Sequence, residues 1–524
     1  MILRKNFFGA NKKRAFKTKF VFFINCVIVM QIKLKAVIFM FNEINMFIEF
    51  INNISWMPIY FLLFGLGIYF TFKTNFFQIR KFGFMLNKTF GNAAAKNNLK
   101  TKGAFTPLQA IATSLASTIG TGNIVGVAVA ITEGGPGAIF WMWFIAFFGM
   151  LIKYAEIVLA LKFREKNKDG EWCGGPMYYI KNGLKNYKLA FIFAGAMIFS
   201  SFAGGNLIQV HSIASIVNDF VVLPEIKIAG GYCFSLTKII VGLLLALIIC
   251  LVVIGGMKSI GKITEKLVPF MSIFYILGVI FVLSANYKLI PGAFLNIFGE
   301  AFKLKSALAG GIGYGISRAL HHGIARGTSS SEAGIGTSPI AQAASVLKNP
   351  VEQALYGILE VFVSSFVICT LTALVILTSG IYDKDIYSQA LALGANGFKI
   401  NNLSEGVVLS AKSFATVLGP NFSKVFIMVC VSCFALSTVI GYSYYGVKSY
   451  EFMFKKKFIA IYKLIFIAVV AVGPLIETKI VWALSDIFNA LMAIPNLIGL
   501  VLLSKVVLDE TKKYFADRNS LSEN

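Results

Sequence analysis

Between Trp56 and Leu503 the chain returns repeatedly to apolar runs of about twenty residues, the length that crosses a bilayer as an α-helix. The plainest is "GAIFWMWFIAFFGMLIKYAEIVLALK", residues 137–162. Repetition of such runs leaves few options. Inside hydrocarbon every backbone N–H and C=O must find a partner within the protein, so a spanning segment is a helix or part of a closed barrel. Long apolar runs without strict alternation are helices. The chain is 57% hydrophobic and 14% charged, with a mean hydropathy of +0.75, against roughly 25% charged residues in an average soluble domain. The expected fold class is an all-α polytopic membrane protein.

The formal net charge of +25 would suggest nucleic acid in a soluble protein. Here the lysines fall between the apolar runs, where they mark topology under the positive-inside rule, and nucleic acid is excluded as a partner. The expected spans are about 56–72, 105–131, 137–162, 189–217, 236–255, 264–285, 306–346, 351–379, 422–446, 458–474 and 479–504. Loop 73–102 holds Lys73, Arg80, Lys81, Lys88, Lys96, Lys100 and Lys102 and no acid, so it is cytoplasmic. The basic loops 163–188, 256–263 and 447–457 then share its side, and the Lys-poor loops 132–136 and 218–235 face the other. This alternation predicts eleven spans in a cell membrane, with the N-terminus outside and the C-terminal tail, 507–524, in the cytoplasm.

Residues 1–45 fit that scheme poorly. They are basic (Arg4, Lys5, Lys12, Lys13, Arg14, Lys17, Lys19), their apolar run 20–31 is too short to span, and no small-residue cleavage site follows it. Met40 and Met46 offer later starts. We expect a basic extension over 1–45 outside the working protein and a transmembrane domain over 46–506. The seven cysteines imply no disulfide framework. Cys430 and Cys433 form a CxxC with no second ligand pair to complete a zinc site. The histidines, His211, His321 and His322, lack metal-ligand spacing, so no transition metal is expected.

Setting the first span aside leaves five plus five. Two halves of equal helix count suggest the inverted repeat common in secondary transporters, and paired interruptions at corresponding positions point to the binding site. The first segment of each half is interrupted. "LASTIGTGNIVG" (115–126) breaks one, and "RGTSSSEAGIG" (326–336) breaks the other, in a segment too long for one straight crossing. These would be discontinuous first and sixth core helices. A mid-membrane break exposes N–H groups that attract anions and carbonyls that attract cations. Gly120 and Gly122 let the chain unwind and a ligand approach, Thr121 adds a hydroxyl and Asn123 an amide. A zwitterionic amino acid matches both poles, and Na⁺ suits the oxygens. The plainer alternative is a small-residue patch for helix packing.

Arg326 and Glu332 beside the second break are candidates for coupling or gating, since ionisable residues in spans mark function; the alternative is an ion pair near the cytoplasmic surface. Gln209 is an amide inside an apolar span. Ser437 and Thr438 place two hydroxyls inside another, where they could also bond their own helix carbonyls. Lys153 and Glu156, one turn apart, are expected to pair.

At this point the chain resembles the alanine-or-glycine:cation symporter family, the sodium:alanine symporters. The matching stretches are "TIGTGNIVGVA", "GGPGAIFWMWFIAFFGMLIKYAEIVLALKFRE", "GGPMYYI", "GGMKSIGK", "SEAGIGTSPIAQAAS", "ICTLTALVIL", "STVIGYSYYG" and "AIPNLIGL", running in family order from about Trp56. The family is similar to the leucine-transporter fold. The resemblance implies Na⁺-driven uptake of small neutral amino acids by alternating access, with sodium as coupling ion, no cofactor and no partner protein. It puts substrate contacts at Thr121, Gly122, Asn123 and Gln209 and in the stretch Gly327, Ser329, Ser330 and Ser331. It puts sodium between Thr118 and Gly120 at the first break and Ser437 and Thr438.

Some positions depart from the family pattern. Where the family usually reads RG-x-F-S-N-E-A-G, Ser329 replaces an aromatic and Ser331 an asparagine; Ser364 stands for an aspartate and Tyr442 for a tryptophan. Loss of the aromatic should enlarge the pocket and make it more polar, so the substrate is expected to be larger or more polar than alanine, such as serine or glutamine. Close alternatives are proton coupling or amino-acid exchange. An intramembrane enzyme would need a Ser/His/Asp or Cys/His arrangement in the spans, and the sequence supplies no convincing one. A sensor would usually carry a soluble output domain, and none is evident after Leu503.

Overall fold

A computed structural model describes residues 42–95, 103–228, 232–302, 312–382, 406–476 and 478–522. The expected extension over 1–45 lies outside the described residues except for its last four, which open the first helix. The principal helices are α1 (Asn42–Lys73), α2 (Pro107–Thr118), α3 (Val125–Gly134), α4 (Gly137–Lys162), α5 (Tyr187–Phe220), α6 (Leu236–Ile254), α7 (Gly256–Ala285), α8 (Ile312–Ser331), α9 (Ser338–Gln342), α10 (Pro350–Thr378), α11 (Pro420–Phe454), α12 (Ile459–Val472), α13 (Thr478–Leu502) and α14 (Ser504–Ser522). Over the described residues, every expected span coincides with one of these helices or with a broken pair of them; the start of the span 306–346, residues 306–311, lies outside the described residues.

Among the described residues, seven helices are long and apolar enough to cross a membrane unaided. The first break divides its span into the short helices α2 and α3, while α8, before the second break, runs 20 residues but carries Arg318, His321, His322, Arg326 and a serine-rich end. α12 with the turn that follows it, Ile459–Leu475, is a shorter apolar helix. The outer helices present apolar side chains outward: Leu247 and Leu251 of α6 are 60% and 69% exposed, and Leu464 of α12 is 63% exposed. With a lipid solvent these need no protein partner. The core lies around α4, whose residues from Gly149 to Leu161 are all buried. Short two-stranded ladders join Glu165–Lys166 to Trp172–Cys173 and Glu225–Ile228 to Tyr232–Ser235.

Helix α2 begins at a capping box: Gln109 N–H donates to Thr106 Oγ1 at 3.1 Å, and Thr106 N–H donates to Gln109 Oε1 at 3.2 Å, with Pro107 in the first turn. α5 and α10 each carry a π-turn, at Ala203–Leu207 and Phe362–Ile368. Such turns recur at functional sites because they free a backbone carbonyl.

One expectation is corrected. Lys153 and Glu156 do not pair. Lys153 Nζ donates to Glu360 Oε1 at 2.8 Å and to the Ser331 carbonyl at 2.7 Å, while Glu156 accepts from Asn496 at 2.5 Å. The reason lies across α4. The second break leaves a carbonyl without a helical donor, and a buried carboxylate stands beside it, which together outweigh an i,i+3 neighbour.

Candidate functional site

The first break is built by a swap of hydrogen bonds. In an unbroken helix Gly120 N–H would donate to the Ala116 carbonyl. Here it donates to Asn123 Oδ1 at 3.1 Å, and Thr121–Asn123 forms a single 3₁₀ turn. The Ala116 carbonyl is released and accepts from Ser437 Oγ and Thr438 Oγ1, each at 3.1 Å. Both hydroxyls also reach the Phe434 carbonyl of their own helix, at 2.8 and 3.0 Å. One carbonyl and two hydroxyls thus converge where α11 crosses the end of α2.

Gly120 is required by proximity rather than by conformation. Its φ of −123° and ψ of −160° are extended values open to any residue. A Cβ placed there would lie 2.6 Å from Thr438 Oγ1. Gly122 meets nothing within 4 Å and faces open space.

The second break uses left-handed backbone. α8 ends at Ser331; Glu332 has φ 52°, and Gly334 and Gly336 have φ 83° and 89°. Glycine carries that conformation without cost, whereas Glu332 adopts it at roughly 1–2 kcal/mol. Its carboxylate is 4% exposed and accepts from Tyr442 at 2.6 Å, Thr337 at 2.7 Å and Ser117 at 3.2 Å. Glu332 is therefore held by hydroxyls, not by Arg326. The Arg326 guanidinium stacks 4.9 Å from the Trp482 ring, and its Nε is buried without a hydrogen-bond partner.

Between the two breaks lies a cavity of about 50 Å³. Thr118, Gly120, Thr121 and Gly122 reach it from the first break, and Ser329 and Glu332 from the second. Gln209 and Thr438 close two further sides. Thr121 Oγ1 donates to Gln209 Oε1 at 3.0 Å, and Gln209 Nε2 donates to the Gly204 carbonyl in the π-turn of α5 at 3.2 Å. These residues, scattered from 118 to 438, line one cavity.

Other expected residues lie elsewhere. Asn123 is fully buried; it clamps Gly120 and donates Nδ2 to the Ser364 carbonyl of the α10 π-turn at 3.0 Å. It shapes the break instead of lining the cavity. Gly327 packs on α4, where a Cβ would lie 2.5 Å from Ile145 Cγ2. Ser330 and Ser331 are both 1% exposed and bond the carbonyls of Gly327 and Thr328. Ser437 stands behind Thr438, on the Ala116 carbonyl. Thr118 borders the cavity, but its Oγ1 donates to Glu360 Oε1 at 2.6 Å and to the Ser114 carbonyl rather than to Ser437 or Thr438. Arg326 sits behind Trp482.

The fourth wall was missed by sequence reasoning. Trp482, Ser485, Asp486 and Asn489 of α13 line the cavity. Their spacing of i, i+3, i+4 and i+7 is one helical face. An aspartate inside an apolar run was the available signal. Ser200 Oγ donates to Asn489 Oδ1 at 2.8 Å, and Trp56 Nε1 donates to the Asp486 carbonyl at 3.2 Å, so this face is held from α5 and α1.

Comparison with known proteins bears on this arrangement. The model of the sodium:alanine symporter family matches residues 41–524. A sodium/alanine symporter of Methanococcus maripaludis is 38% identical over 481 residues, covering 90% of this chain and 98% of that one. A Bacillus subtilis protein named "Probable sodium/glutamine symporter" is 34% identical over 465 residues, covering 88% and 89%. Among solved structures, a crystal structure of MhsT in complex with L-phenylalanine is similar with a TM-score of 0.54 at 14% identity, over 79% of this chain and 93% of that one. That likeness is one of fold.

Proposed function

Because the chain belongs to the sodium:alanine symporter family, we propose that it couples Na⁺ entry to the uptake of a small neutral amino acid by alternating access. The chain is a secondary amino-acid transporter and not an enzyme, and it is a multi-pass membrane protein. The single observation that carries sodium coupling is the Ala116 carbonyl, released at the first break and met by Ser437 and Thr438. Hydroxyl and carbonyl oxygens suit a hard cation. Na⁺ would be held there against the end of α2, beside the close approach of Gly120 to Thr438. The amino acid would sit in the adjoining cavity, against Thr121, Gly122, Gln209 and Ser329. Asn123, Gly327, Ser330 and Ser331 would hold the two breaks in shape.

Coupling needs no covalent chemistry. An ion bound between α2 and α11 and a substrate bound between the two breaks would each favour the conformer that brings these helices together, so each raises the affinity of the other. The distribution of Lys and Arg orients the chain with its first span entering from outside and its C-terminus in the cytoplasm. Ser329 in place of an aromatic, together with the polar face of α13, favours a substrate larger or more polar than alanine, such as serine or glutamine.

A second reading, proton coupling, is favoured by one observation: Glu332 lines the cavity with its carboxylate held only by hydroxyl donors. Uptake of radiolabelled amino acids by proteoliposomes under Na⁺, Li⁺ and H⁺ gradients separates the two. Concentrative uptake that needs Na⁺ supports the first. Uptake driven by an H⁺ gradient without Na⁺ replaces it with the second.

A further inference from the structure

The end of α1 and the C-terminal helix α14 enclose a second cavity, unrelated to the first. α1 stops at Lys73, and the chain reverses through Asn75 and Phe76, with φ 52° and 54°, into the short helix Phe77–Arg80. α14 lies alongside, fastened to α4 by Tyr154 Oη to Thr511 Oγ1 at 2.8 Å and by Lys162 to Glu510 at 2.6 Å. Between them is a cleft of about 250 Å³. Lys73, Arg80, Lys81 and Lys512 line it, with Leu508 and Phe515 as an apolar wall, and its lining includes no carboxylate.

Positive charge on loops between spans is explained by topology alone. Four cations on one concave wall are a different matter, since two segments more than four hundred residues apart in sequence supply them. Like charges facing one cleft repel, so an empty cleft is electrostatically unfavourable and a multivalent anion relieves it. The guanidinium fork and the ammonium groups suit phosphate oxygens. The position adds the second half of a ligand. Phe72, Phe76 and Ile79 beside the cleft are 62%, 39% and 59% exposed, as expected for side chains at the edge of the acyl region.

We propose that this cleft binds a phosphate headgroup, that of an anionic phospholipid in the leaflet on the basic side of the membrane. A cluster of Lys and Arg immediately beyond the end of a spanning helix is suited to anionic headgroups. The phosphate would sit against Lys73, Arg80, Lys81 and Lys512, and the glycerol and upper acyl chain would run over Leu508 and Phe515. The proposal rests on which side carries the basic loops and is independent of the ion and substrate assignments.

Native mass spectrometry of the purified full chain tests it, with phosphatidylglycerol, phosphatidylcholine and inorganic phosphate as probes. The wild type is expected to retain phosphatidylglycerol over phosphatidylcholine. Retention should fall roughly tenfold or more in K73Q/R80Q/K81Q/K512Q, given the contribution of each basic residue near an anionic surface. A variant with the same charge change elsewhere, K258Q/K262Q/K455Q/K457Q, should keep it. Displacement of phosphatidylglycerol by millimolar inorganic phosphate from the wild type would assign the anion site to soluble phosphate and overturn the lipid source. Equal retention of the two lipids by the wild type, or equal loss in both variants, would overturn the site itself; the wild-type arm holds even if a variant does not fold.

Discussion

Lys153 and Glu360 form an ion pair of 2.8 Å in which both side chains are 0% exposed. The pair joins both breaks. Glu360 also accepts from Thr118 and Ser114 of α2, at 2.6 Å each, and from Ser338 of α9 at 2.9 Å, and Lys153 holds the Ser331 carbonyl. Removing one partner of a buried pair strands the other, at about 3–5 kcal/mol. K153M and E360Q should each lower the melting temperature in detergent sharply. The double variant K153M/E360Q should be less destabilised than the two losses added together. Additive losses would show that the pair carries no coupling.

Gly120 and Gly122 should behave differently although they are two residues apart. G120A places a methyl 2.6 Å from Thr438 Oγ1, an overpacking of about 1–3 kcal/mol. It should raise the Na⁺ concentration for half-maximal uptake by roughly tenfold. T438A, with Gly120 intact, removes a hydroxyl oxygen from the Ala116 carbonyl and should raise the same value. G122A meets nothing and should leave the Na⁺ requirement unchanged while weakening the substrate. These outcomes are read from uptake against Na⁺ at fixed substrate and against substrate at fixed Na⁺.

Ser329 lines the cavity on the side of the second break. S329F would restore the aromatic expected there from the family resemblance. Glycine and alanine should then gain on serine and glutamine in competition uptake, by roughly tenfold or more. An unchanged order of competitors would remove Ser329 from the pocket.

Glu171 lies in the loop after α4, outside the spanning segments. Burial pushes its carboxyl up, but the Lys448 ammonium at 2.6 Å and the Asn167 amide at 3.1 Å pull harder, and the net value lies below the ordinary 4.5. A depressed carboxylate contributes stability that is fully present above its unfolded pKa and is lost as pH falls through the folded one. The contribution of this group should be constant above about pH 5 and decline below pH 4.5. E171Q should flatten that part of the melting-temperature profile in acid.

The spans, the two breaks and about half of the cavity lining were legible in the sequence. Apolar length signals the spans, and glycine with hydroxyl residues inside an apolar run signals the breaks. Thr121, Gln209 and Thr438 were identified by residue type within spans and Ser329 by the family resemblance, and all four line the cavity. Asn123 was identified for the same reason, yet it turns inward to replace a lost helical acceptor. The π-turns at Ala203–Leu207 and Phe362–Ile368 were not foreseen, because an extra residue in a turn leaves the apolar pattern unchanged. The face of α13 was passed over because its polar residues are single positions in an otherwise apolar helix.

By itself the sequence determined that this chain crosses a membrane many times as helices and that two of those helices are interrupted. Backbone chemistry in lipid permits little else for such a pattern. Only the tertiary structure decided the partners. Lys153 reaches Glu360 in place of Glu156, Asn123 serves the break and not the cavity, and Trp482 to Asn489 supply a wall. Partner choice depends on which donors and acceptors the packing of distant helices leaves unpaired, and spacing along one helix carries no record of that.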